Sequence, residues 1–64
     1  MKLFEGYTSE GRKAEVILED ERIWIVDAET GEKEQYNDEY YTEDDTASLA
    51  SVRASMIAEG FRVC

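Results

Sequence analysis

Ala14-Glu15-Val16-Ile17-Leu18-Glu19, then Asp20-Glu21, then Arg22-Ile23-Trp24-Ile25-Val26 is the stretch that decides the fold. In its first run Ala14, Val16 and Leu18 alternate with Glu15, Ile17 and Glu19. That period of two suits a strand with one face turned to a core. Asp20-Glu21 is a polar turn. The second run is rich in β-branched and aromatic residues and is apolar on both faces over Trp24-Ile25-Val26, which predicts the central strand of a sheet.

Outward from this pair, Leu3 to Thr8 reads as a preceding strand that ends in a turn at Ser9-Glu10-Gly11-Arg12. On the other side, Asp27-Ala28-Glu29-Thr30-Gly31-Glu32 is a hairpin loop with Gly31 in the left-handed conformation. Lys33 to Tyr36 returns as a polar edge strand whose charges discourage edge-to-edge pairing. The second half reads as one helix. Thr42 is the expected N-cap, with Asp45 at the third helical position standing in for the usual Glu. Glu43, Asp44 and Asp45 lie where the helix dipole favours negative charge. Leu49, Val52, Met56 and Ile57 recur at helical spacing as the expected buried stripe. Gly60 is a left-handed stop, and Phe61 can fold back onto Met56 in a Schellman-type ending. The expected fold class is α+β: an antiparallel sheet of three to four strands packed by one C-terminal helix, with Phe61-Arg62-Val63 long enough for a short last strand.

Sixty-four residues make one domain, because so short a chain cannot divide its apolar side chains between two cores. The 42% hydrophobic content, with one Trp, four Tyr and two Phe, argues for a packed interior rather than disorder. Cys64 is the only cysteine, so no internal disulfide forms. The start, Met1 to Gly6, has no apolar stretch of signal-peptide length, and no run approaches the roughly 20 residues of a membrane span. These features point to a reducing cytosol.

The formal charge is −9, and it is concentrated. Residues 27–45 carry nine acids (Asp27, Glu29, Glu32, Glu34, Asp38, Glu39, Glu43, Asp44, Asp45) against Lys33 alone. Such a surface repels DNA, RNA and anionic lipid and attracts basic partners.

Catalytic chemistry finds little footing. The chain has no histidine, the commonest general base and metal ligand. Cys64 sits at the terminus with no base to make a thiolate. Ser48, Ser51 and Ser55 are spaced along a helix surface, where hydroxyls are solvated or bonded to the preceding turn. Carboxylates are plentiful, yet acid/base work needs two of them in different environments within a cleft. The glycines at 6, 11, 31 and 60 form no phosphate-binding motif. Read as an EF-hand from Asp27, the loop has Gly31 at the fifth position where the sixth is required, so no dedicated metal site is expected. No cofactor is expected either. Arg53 falls on the apolar stripe; the expectation is that its stem packs while its guanidinium reaches a sheet carboxylate at the edge.

The informative remainder is the acidic, aromatic segment itself. Charge runs usually serve solubility and capping. Here Glu32 and Glu34 lie two apart on an expected strand, about 6.8 Å along one face. That repeat is similar to the spacing of phosphates on a nucleic-acid strand. Tyr36, Tyr40 and Tyr41 are interleaved with the acids, and tyrosine is favoured in interface cores. The expected partner-binding set is therefore these nine acids with these three tyrosines.

In its size, its few strands with one helix, and the acid-and-tyrosine run from Asp27 to Asp45, the chain resembles a loose class of small acidic phage-encoded inhibitors of bacterial defence, above all the anti-CRISPR proteins. Many of that class block the nucleic-acid channel of an RNA-guided effector, some as DNA mimics. Its members differ in fold and sequence, so the resemblance assigns no role to any single residue. It implies a stoichiometric blocker in the host cytosol, whose carboxylates occupy an Arg/Lys groove made for phosphates. The competing expectation is a non-catalytic structural or assembly protein that works as a small homodimer, paired through an edge strand or the Trp24 face.

Overall fold

The computed structural model describes residues 1–64. Five strands and one helix succeed one another as β1 (Lys2–Tyr7), β2 (Lys13–Glu19), β3 (Arg22–Asp27), β4 (Lys33–Gln35), α1 (Thr46–Ala58) and β5 (Arg62–Val63). All pairings are antiparallel, and the strands lie side by side as β4-β3-β2-β1-β5. The expected α+β class holds, and the sheet takes in the short last strand to reach five.

The middle strand is β2, not β3, because β1 and β5 add to the far side of β2. The apolar character of Trp24 has another cause than a central place. Its ring is half-covered on the open side of the sheet, where the Lys33 ammonium lies 4.8 Å from its centroid. Register shows which side chains share a face, since cross-strand partners point the same way. Ala14, Val16 and Leu18 pair with Asp27, Ile25 and Ile23, and Val16 pairs again with Phe4 on β1. This face meets the helix. The core comprises Ala14, Val16, Leu18, Ile23, Tyr41, Val52, Met56 and Phe61, with Val16 and Ile23 fully enclosed.

The helix starts three residues later than its cap signal predicts. Asp45 is the N-cap: its carboxylate accepts from the Ser48 backbone N–H at 3.1 Å and from the Ser48 hydroxyl at 2.7 Å. Thr42 instead closes a turn, its carbonyl accepting from the Asp45 N–H. The shift results from Tyr41, which is buried and tied by its N–H to the Glu21 carbonyl, so the chain must climb from the sheet before it can coil. Of the expected stripe, Val52 and Met56 are buried and Leu49 packs at the margin, whereas Ile57 is 44% exposed. Arg53 is exposed and has no carboxylate within ion-pairing distance; it stands about 100° round the helix from Val52 and about 60° from Met56, at the margin of the buried line.

Gly60 has φ +110 and ends the helix, and the Phe61 N–H donates to the Met56 carbonyl at 2.9 Å. Phe61 then drops into the core edge-on to Phe4 and directly over Gly6. A Cβ at Gly6 would run into the Arg62 carbonyl oxygen and lie 2.7 Å from the Phe61 ring. At the other end of the sheet, Asp20 and Glu21 turn β2 into β3 with φ of 53 and 63, left-handed values at two non-glycine residues.

Gly6→Ala is therefore expected to lower stability by about 2 kcal/mol or more through overpacking against backbone, out of the roughly 3–5 kcal/mol typical of a core this small. Thermal or urea unfolding tracked by circular dichroism checks it.

Candidate functional site

Cations and acids lie on different sides of the molecule. The register places Lys2, Lys13, Arg22, Lys33 and Arg62, five of the seven cationic side chains, on the open face of the sheet. Only three acids share that face, Glu5, Glu15 and Glu19, and each is ion-paired: the first two with Lys2, the third with Lys33. The other acids stand on the turns, on the loop before the helix and on the helix side. Among them only Asp27 and Glu29 meet a cation, Arg12.

The nine acids expected to form a binding surface fall into two groups with different work. Asp27 is committed to the fold. One carboxylate oxygen accepts from the Glu29 and Thr30 backbone N–H groups at 2.8 and 3.1 Å, and the other accepts from Arg12 Nε at 2.6 Å. The Arg12 guanidinium first, and these two amides next, hold its carboxyl well below the usual carboxylate range. This bracing shapes the β3–β4 hairpin, where Gly31 has φ +79. Beside it lies an open hollow of about 570 Å³ with Ala14 and Ile25 in its floor, and with Glu10, Glu32 and Glu34 at its walls together with the cations Arg12 and Lys33. Glu32 precedes β4 by one residue but keeps strand pairing through its carbonyl, which accepts from the Asp27 N–H, so it borders the same hollow as Glu34.

The second group lies on the segment that links β4 to α1, and one of its members, Glu39, lines a groove of about 380 Å³ between that segment and the helix. Tyr36, Asn37, Glu39 and Tyr40 make one wall, Ala47, Ser48, Ser51 and Ser55 the other, with Val52 and Tyr41 beneath. The three tyrosines expected as anchors have different fates. Tyr41 is 8% exposed and belongs to the core, so it cannot reach across to a partner as an anchor. Its hydroxyl accepts from Asn37 Nδ2 at 2.7 Å and donates to Glu39 Oε2 at 3.1 Å. Tyr36 is half-buried; burial, and then the neighbouring Glu59 carboxylate, push its phenol upward, so it stays protonated as a donor. Tyr40 alone is open, at 70% exposure, with the Arg22 guanidinium 3.9 Å from its ring centroid.

Asn37, Ser48, Ser51 and Ser55 were not in the expected set. The serines could have been found: positions 48, 51 and 55 fall on one helical stripe that flanks the buried Val52. Asn37 carried no such signal, because its role depends on where Tyr41 lands. Asp38, Glu43 and Asp44 are exposed around this side, and Asp45 is spent on the cap.

The arrangement offers hydrogen-bond acceptors, aromatic faces and a one-sided negative potential. No set of three or more His, Cys, Asp or Glu is gathered to hold a metal ion. No helix is long and apolar enough to cross a membrane. Comparison with protein-family models, curated proteins and solved structures gives no match to this chain.

Because the Asp27 carboxyl is depressed in the folded chain, its stabilising effect is complete above its unfolded value near 4 and drains away as pH falls toward its folded value. Asp27→Asn should thus lower the melting temperature at pH 7, and the gap from the parent chain should narrow below about pH 4. Paired melts from pH 7 down to about pH 2.5 measure it.

Proposed function

We propose that this chain is a non-catalytic binding protein, an inhibitor or adaptor that presents its acidic helix side to a basic surface on a nucleic-acid-binding protein. One observation carries the reading: the carboxylates without an internal cation are gathered away from the open sheet face, where five of the seven lysines and arginines sit. A net charge of −9 spread evenly would serve solubility alone. Segregated on a rigid scaffold, it makes a directed field that steers a cationic groove to one side of the molecule.

The surface suits a groove built for phosphates. Glu32 and Glu34 border one hollow at strand spacing, and Asp38, Glu43 and Asp44 extend the negative potential along the loop that leads to the helix. Blocking nucleic-acid access by such mimicry is the action of the anti-CRISPR type of inhibitor, and an RNA-guided effector is one partner of this chemical kind. Catalysis is less well supported, since the carboxylates stand in open grooves that do little to set two of them apart as acid and base. Pairing through the Trp24 face as a homodimer is also less favoured. The indole N–H already donates to the Glu19 carbonyl at 3.2 Å, and Lys33 lies over the ring.

The test begins with the immobilised chain and the partner it retains at low salt. Nucleic-acid binding by that partner is then measured with and without the chain. Competition that weakens steeply as salt is added is the expected result. A chain carrying Glu32→Lys, Glu34→Lys, Asp38→Lys and Glu43→Lys should lose it, while Glu5→Lys with Glu15→Lys on the open face should retain it. Salt-insensitive binding, or binding that survives the first set of changes, would overturn the proposal.

A further inference from the structure

The groove beside α1 has a lining that the charge argument alone does not explain. No lysine or arginine lines it, and Glu39 is its only charged residue. That carboxylate is held in place from two directions. Its Oε2 accepts from the Tyr41 hydroxyl at 3.1 Å and from Asn37 Nδ2 at 3.3 Å, while its own backbone N–H donates to Asn37 Oδ1 at 3.0 Å. Oε1 accepts no hydrogen bond from within the chain and is left for a ligand. Because Tyr41 is itself fixed in the core, this is an aimed acceptor rather than a waving surface acid.

Tyr40 supplies the second component. Arg22 packs on its ring and is not among the residues that line the groove. The ring is 70% exposed and borders the groove. The chain thus already displays, at 3.9 Å, the stacking that the second face of this ring can repeat. Across the groove the Ser51 hydroxyl makes no hydrogen bond to the rest of the chain, the Ser55 hydroxyl lies beside the Tyr36 phenol, and Val52 gives an apolar floor for a methylene stem.

From these parts we infer that the groove is a receptor for an arginine side chain of the partner protein. The guanidinium stacks on the groove face of Tyr40, donates to Glu39 Oε1 and to the serine hydroxyls, and lays its stem over Val52. Arginine fits where lysine does not, because only a planar, forked cation can stack on an aromatic face and donate in two directions at once. This inference rests on the proposed docking of the helix side, and it names the anchor within that surface.

The experiment is a pair of nuclear magnetic resonance titrations of the labelled chain with tri-arginine and with tri-lysine peptides. The arginine peptide should bind about fivefold tighter, the ratio expected from one added cation–π contact. Its shifts should centre on Glu39, Tyr40, Ser51 and Ser55. Glu39→Gln and Tyr40→Leu should each abolish the preference, and Tyr40→Phe, which keeps the ring, should preserve it. Amide shifts of β1 to β3 that stay in place show that the variants fold. Equal binding of both peptides, or shifts centred on the Glu32 and Glu34 hollow, overturns the arginine receptor while leaving the acidic docking side intact. Failure of both peptides to shift any residue of the helix side overturns both.

Discussion

Phe61 crosses Gly6 with no space for a methyl group between them, and the helix stays on the sheet because of that crossing. Helix α1 fully buries only Val52 and Met56, too little apolar surface to offset the entropy lost in ordering thirteen residues. The remainder comes from the residues just past its C-terminus. Gly60 reverses the chain, Phe61 packs edge-on to Phe4, and Arg62 and Val63 hydrogen-bond to β1 as a fifth strand. The Cys64 N–H extends that pairing to the Glu5 carbonyl. A single close approach thereby fastens the end of the helix to the opposite end of the sequence. The helical wall of the serine-and-tyrosine groove depends on it.

The same economy governs the charges. On the open sheet face, lysines and acids alternate closely enough to pair, although exposed pairs of this kind contribute little to stability. Their consequence is mainly one of distribution: they hold Lys2 and Lys33 to the open face. There the carboxylates repel one another, and the covalent scaffold, not attraction, keeps them together. Three of them, Asp27, Glu39 and Asp45, are fixed by backbone or side-chain donors.

The strands and hairpins were legible because their signals are local. Alternation over Ala14 to Glu19 and the glycine at 31 depend on neighbours a few residues away, and both appear where the pattern places them. The order of strands was not legible, since an apolar run such as Trp24-Ile25-Val26 looks the same whether it is buried by strands on both sides or shaded by a lysine. The helix start was misread for a related reason. Thr42 and Asp45 both carry cap chemistry, and the choice between them is made by Tyr41, whose descent into the core is a long-range event. The same descent divided the tyrosines into one core residue, one half-buried donor and one open ring, a division that composition cannot express. Charge concentration in residues 27–45 was plain from the sequence; its segregation from the cations required the register of all five strands.

The turn at Asp20 and Glu21 bears on how this fold comes together. Two-residue hairpins are commonly nucleated by Asn-Gly or Asp-Gly, which adopt left-handed angles at little cost. Here a glutamate holds φ 63 beside an aspartate at φ 53, a conformation disfavoured for such side chains and one that sets two negative charges next to each other. The β2–β3 ribbon is held instead by what faces across it, Val16 against Ile25 and Leu18 against Ile23, so the closure of this hairpin rests on its apolar pairs more than on its turn.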